Sequence, residues 1–150
     1  MKETPTAGQF WIVLARCSKA LAMRVEQSVS SAGMCLTDFM ILEALLHKGP
    51  LTITEIQGKI LLASGSMTAA VDRLEKKGMI VRRAMQQDRR ARQLELTPSG
   101  RRVIERIFRE HEAEFESLIG VLGDGEKRQT YASLKKLGLH AAVPFVRDPA

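Results

Sequence analysis

The chain is short of aromatics, cysteine and histidine: its 150 residues include one Trp, one Tyr, five Phe, two Cys and three His. Two cysteines, Cys17 and Cys35, are too few for a disulfide scaffold and lie outside any short metal-binding spacing, so both read as buried or half-buried packing thiols. His47, His111 and His140 are scattered along the chain, and no metal or other cofactor is expected. No run approaches the roughly 18 apolar residues that span a bilayer, and Met1-Lys2-Glu3-Thr4-Pro5 is not followed by a clean signal-peptide core. These absences point to a soluble, cytoplasmic protein. Acidic residues are the minority, 17 against 23 Lys plus Arg, and the net charge of +6 favours a polyanionic partner without choosing between nucleic acid and membrane.

What is present suffices for a folded domain. The composition is 45% hydrophobic and 27% charged, without a polar low-complexity tract. The length suits one domain elaborated by long helices that need a partner. No nucleophile, base and orienting group fall into a set, and Glu110, Glu112, Glu114 and Glu116 read as the solvent face of one helix, so an enzyme is not expected.

Periodicity divides the chain into helices and one hairpin. Residues 10–29 carry Trp11, Leu14, Ser18, Leu21 and Val25 at helical spacing, a stripe that should face other protein. A second helix, capped by Thr37, holds Phe39, Met40, Leu42 and Leu45 and stops at Gly49-Pro50. Thr52 and Glu55 have the spacing of a capping box, opening a third helix expected to stop near Leu61 or Leu62. Ser64 is a credible cap for a fourth, in which Met67, Ala70, Val71 and Leu74 pack inward. Gly78 ends it.

From Met79 the period changes. Ile80-Val81-Arg82-Arg83 begins a strand, Gln86-Gln87-Asp88-Arg89 supplies a turn, and Arg92, Leu94 and Leu96 alternate with polar neighbours on a returning strand. Thr97-Pro98 starts a long helix, along which Ile104, Phe108, His111, Phe115, Leu118 and Leu122 form a seam. Gly123-Asp124-Gly125 breaks that seam, with Asp124 a cap for a last helix bearing Tyr131, Leu134 and Leu137. The fold class is therefore mainly α with a small β-wing: a winged helix-turn-helix over residues 34–100, flanked by dimerisation helices over 10–30 and 101–140 of the single chain 1–150.

The fourth helix opposes its apolar face with Ser66, Ala69, Arg73 and Lys76, with Thr68 and Asp72 beside them. Small residues near its start allow close approach to a major groove, and hydroxyls can meet base edges. The hairpin adds seven basic residues between Lys76 and Arg92 against Asp88. Arg82, Arg89, Arg90 and Arg92 could contact phosphate, and a guanidinium at the tip could enter a narrow minor groove. The expected DNA-binding residues are thus Ser64, Ser66, Thr68, Ala69, Arg73, Lys76, Arg89, Arg90 and Arg92.

Leu51-Thr52-Ile53-Thr54-Glu55, Leu62-Ala63-Ser64-Gly65-Ser66-Met67-Thr68, Val71-Asp72-Arg73-Leu74-Glu75-Lys76-Lys77-Gly78, Asp88-Arg89-Arg90 and Leu96-Thr97-Pro98-Ser99-Gly100 together resemble the MarR family of transcriptional regulators. The resemblance implies a cytoplasmic homodimer that binds double-stranded DNA at a pseudopalindromic operator, mostly as a repressor. It also implies release by a small phenolic, aromatic or otherwise amphipathic effector. It further implies that Asp72 orients the wing through Arg89 or Arg90. Cys17 invites comparison with the family's hydroperoxide-sensing branch, but the tyrosines expected around that thiol are missing and the one tyrosine is Tyr131, so packing is the expected role. The alternative reading is a winged-helix protein-interaction module without specific DNA recognition.

Overall fold

Caps decide where the helices begin. In the computed structural model, which describes residues 4–60, 66–84 and 92–142, α1 (Ala7–Ser31) opens at Thr6. The Thr6 hydroxyl accepts from the Gln9 N–H at 3.3 Å, and the Gln9 side chain accepts from the Thr6 N–H at 2.9 Å. This reciprocal pair carries α1 upstream of the start expected at Phe10. α2 (Leu36–Lys48) is capped by Cys35, not Thr37, because the Phe39 N–H already reaches the Cys35 carbonyl at 3.0 Å. Gly49, at φ 77, ends α2 in the left-handed region that glycine tolerates.

β1 (Leu51–Thr52) leads straight into α3 (Ile53–Gln57), whose capping box forms as its spacing predicts: Thr52 N–H to Glu55 Oε2 at 2.7 Å, and Glu55 N–H to Thr52 Oγ1 at 3.2 Å. α3 closes at Gly58, short of Leu61, in keeping with glycine's poor helix propensity. α4 (Met67–Lys76) is capped by Ser66, whose hydroxyl accepts from the Ala69 N–H at 3.3 Å. Ser66 thus takes the role expected of Ser64, which lies outside the described residues. β2 (Ile80–Ala84) and β3 (Arg92–Leu96) pair antiparallel from Ile80 opposite Leu96 to Ala84 opposite Arg92. β1 adds to the other edge of β3, a third strand too short to show in the sequence pattern.

α5 (Pro98–Ile119) starts where Thr97 accepts from the Gly100 N–H at 2.9 Å. The same hydroxyl donates to the Gly78 carbonyl at 2.7 Å, tying the helix start to the end of α4. Gly100 is required by contact, since a Cβ there would lie 1.9 Å from the Met79 carbonyl oxygen. α6 (Asp124–Ala141) is capped at Gly123, whose N–H donates to Glu126 Oε2 at 2.8 Å, so Asp124 sits inside the first turn.

Two compact units divide at Glu112 and Ala113. The first buries Phe39, Leu42 and Leu45 of α2, Ile56 of α3, Met67, Ala70, Val71 and Leu74 of α4, Ile80 and Leu94 of the wing, and Ile104 and Ile107 of α5. All four α4 positions expected to face inward are in this core. Phe10, Trp11, Ile12 and Val13 of α1 are exposed. In the second unit Lys127 Nζ meets Glu116 Oε1 at 2.6 Å, and Tyr131, Leu134, Leu137 and Leu139 stand exposed on α6. Both thiols are exposed rather than buried. Cys17 lies on an outward part of α1, and Cys35 is the cap of α2.

Candidate nucleic-acid interface

The burial of Met67, Ala70, Val71 and Leu74 fixes the rotation of α4, and that rotation leaves Ser66, Thr68, Ala69, Asp72, Arg73 and Lys76 exposed on the other side. Its capped start presents helix N–H groups that favour an anion. The wing stands on the adjoining edge. Arg92 is exposed at its outer end, while Ser64, Asp88, Arg89 and Arg90 lie outside the described residues.

The charges on this surface are not all available to a ligand. Arg82 lies on the same face of β2 as buried Ile80, and its guanidinium hydrogen-bonds Asp72 and reaches Glu75 Oε2 at 2.9 Å. Among the described residues Asp72 pairs with Arg82, while the expected partners Arg89 and Arg90 lie outside them. Asp72 and Glu75 together hold the base of the wing against α4 through the Arg82 guanidinium. Arg83, on the opposite face, donates from Nε to Glu95 Oε2 at 2.5 Å, a diagonal cross-strand pair.

Arg73, exposed on the same face, is tied to the protein by a contact between helices. Its Nε donates to Asp38 Oδ2 at 3.0 Å and its Nη2 to Asp38 Oδ1 at 2.5 Å, a two-pronged pair between α4 and α2. Nη2 also lies 3.4 Å from Cys35 Sγ, and Lys77 Nζ is 3.7 Å from Asp38 Oδ2. Burial alone would push the Asp38 carboxyl upward. Hydrogen bonds from Arg73 and Cys35, with the charges of Arg73 and Lys77, outweigh that and hold it below the usual carboxylate range. The same partner raises the Arg73 pKa. Asp38 is not among the residues expected at the site, although the sequence carries a signal for it: it precedes Leu42 and Leu45 by one and two helical turns, which puts an acid on the core stripe of α2 in need of a counter-ion.

A cleft of about 280 Å³ opens beside this pair, lined by Glu26, Cys35 and Thr37 on one side and Ser66, Ala69 and Arg73 on the other. A second pocket, about 340 Å³, lies along α2 between Met40, Glu43, Ala44, His47 and Ile60, with Lys48 and Lys59 at its margin. Burial raises the Glu43 carboxyl, and the charges of His47 and His111 oppose that shift. The His47 ring stands edge-on to Phe108 with centroids 4.8 Å apart.

A helix seated by its apolar face, offering its small and basic side chains to solvent beside an antiparallel wing, defines a winged helix-turn-helix DNA-binding module. Among known proteins the MarR family model matches residues 35–91. The transcriptional regulator MhqR of Bacillus subtilis is 37% identical over 133 residues, covering 89% of this chain and 92% of the relative. The chain belongs to the MarR family of transcriptional regulators. Its fold is shared by Bordetella bronchiseptica BpsR, whose DNA binding is regulated by 6-hydroxynicotinic acid (TM-score 0.74, 20% identity, 91% of this chain and 97% of that one). It is shared also by NadR in complex with 4-hydroxyphenylacetate (TM-score 0.72, 25% identity, 97% of this chain and 100% of that one). Among the described residues no single helix is long and apolar enough to cross a membrane.

Proposed function

We propose that the chain is a cytoplasmic homodimeric repressor that reads a pseudopalindromic operator with α4, anchors on phosphate through the wing, and lets go when a small amphipathic or aromatic molecule binds. The observation that carries this reading is the seating of α4: four core residues lock one face, and Ser66, Thr68, Ala69 and Lys76 are left on the other. Arg92, together with Arg89 and Arg90, supplies sequence-tolerant attraction. The terminal helices, over 10–30 and 101–140, are the dimerisation region. Their exposed apolar residues support a second copy as the covering partner. The 340 Å³ pocket mixes apolar Met40, Ala44 and Ile60 with polar Glu43 and His47, a lining suited to an amphipathic effector. BpsR and NadR, which share the fold, are the precedents for small hydroxylated aromatic acids.

Selection from a random pool of duplex DNA with the purified chain tests the reading. A two-fold-related consensus is expected, with affinity that falls as salt rises. Recovery of no sequence preference, with binding that is purely salt-dependent, would leave only a general electrostatic role.

A further inference from the structure

Asp38 is the one polar or charged residue in the buried set among the described residues. It belongs to α2, yet both of its cationic partners, Arg73 and Lys77, lie one turn apart at the end of α4. The Arg73 fork grips the carboxylate with Nε and Nη2, so Nη1 is the guanidinium nitrogen outside the pair. The side chain as a whole stays 43% exposed at the lip of the cleft that also holds Ser66 and Ala69. An arginine on a free stem would settle on any phosphate within reach. Here the stem is fixed at its far end, in one plane, by a carboxylate that cannot move without disturbing the core.

We propose that Asp38 is a specificity-setting positioning residue of the DNA interface: it fixes the direction in which Arg73 meets the duplex and withholds Arg73 and Lys77 from indiscriminate phosphate binding. The inference rests on the proposed function, since it presupposes that α4 reads DNA. Its physical content is a trade. Two cations partly neutralised by one buried anion contribute less to salt-dependent attraction, while a guanidinium held in one geometry discriminates better between base patterns.

The test compares Asp38→Asn and Arg73→Lys with the full wild-type chain on two probes: the duplex recovered by random-pool selection and a base-scrambled duplex of equal length. The carboxamide of Asp38→Asn turns an N–H₂ toward one of the Arg73 donors, so the fork opens and both cations are released. Scrambled-duplex affinity should then rise, and the salt slope should steepen by about 1 to 2. The ratio of selected to scrambled affinity should drop roughly tenfold, the scale of one lost two-pronged contact. Arg73→Lys keeps the charge without the fork and should lower the ratio with little change in the slope. Should Asp38→Asn not fold, Asp38→Glu decides the matter: it keeps the anion but displaces the fork by one methylene, and should lower the ratio with the slope unchanged. A general loosening of the domain would instead weaken both duplexes together, and that result, or an unchanged ratio in folded variants, would overturn the inference. Failure of the wild-type chain itself to distinguish the two duplexes would overturn the DNA-reading function beneath it.

Discussion

At the scale of single residues, the two perturbed acids of α2 make opposite predictions. The Asp38 carboxyl lies below its unfolded value when folded, so its charge adds stability that is complete above the unfolded pKa of about 4 and is lost as pH falls through the folded value. Denaturant midpoints of wild type and Asp38→Asn should differ most near neutrality and converge in acid. A constant difference from neutrality into acid would contradict the buried anion. Glu43 runs the other way, because burial raises it. The favourable contribution is present below the unfolded pKa and lost as pH rises through the folded one, so Glu43→Gln should be the more stable protein at neutral pH, with the gap closing toward about pH 4. The sequence carries only the place of Asp38 on the core stripe of α2, and neither titration behaviour follows from that alone. Spacing shows that Asp38 and Glu43 lie on α2, but their environments come from α4 and α5. The same holds for Arg82, whose partners Asp72 and Glu75 lie across the junction of helix and wing.

Elements were more legible than contacts, because caps and periodicity are local. The T-x-x-E box at Thr52, the inward stripe of α4, the wing strands and the Thr97-Pro98 start all form as the sequence indicates. Misplaced boundaries have local causes too. The cap expected at Ser64, outside the described residues, is supplied two residues on by Ser66, which carries the same hydroxyl. Ser66→Ala should therefore cost about 1 kcal/mol of stability, while Ser66→Asp keeps the cap. The aspartate variant should nonetheless lose DNA affinity, because its charge faces phosphate. Thermal unfolding and duplex titration of the two variants separate capping from recognition, and equal stability of Ser66→Ala and wild type would contradict the cap. Gly100 marks a second local constraint. Gly100→Ala drives a methyl into the Met79 carbonyl and should destabilise by about 1–3 kcal/mol, readable as a lowered denaturant midpoint.

For the whole molecule, the winged domain buries a core of its own, whereas exposed Trp11, Val13, Tyr131 and Leu139 lie on the terminal helices. A second copy is the proposed cover, and sedimentation across a concentration series should show a stable dimer. Trp11→Glu combined with Leu134→Glu should shift it toward monomer and weaken operator binding, since both half-sites then lose their linked partner. A wild-type monomer that binds the selected duplex with full affinity would contradict the architecture. The sequence indicated these seams by their length, but a single chain cannot show what covers them.

If the exposed face of α4 enters the DNA groove, a negative charge at Ala69 must disrupt binding without disturbing the fold. Position 69 is the third residue of α4 after the Ser66 cap, so glutamate there completes a capping box and should leave stability unchanged or slightly raised. On the reading face, the same carboxylate opposes phosphate and base acceptors. Equilibrium titration of the selected duplex should show affinity reduced by at least roughly a hundredfold, the scale of a like charge set against an interface. A folded, dimeric Ala69→Glu protein that binds this duplex as tightly as wild type would show that α4 does not enter the groove.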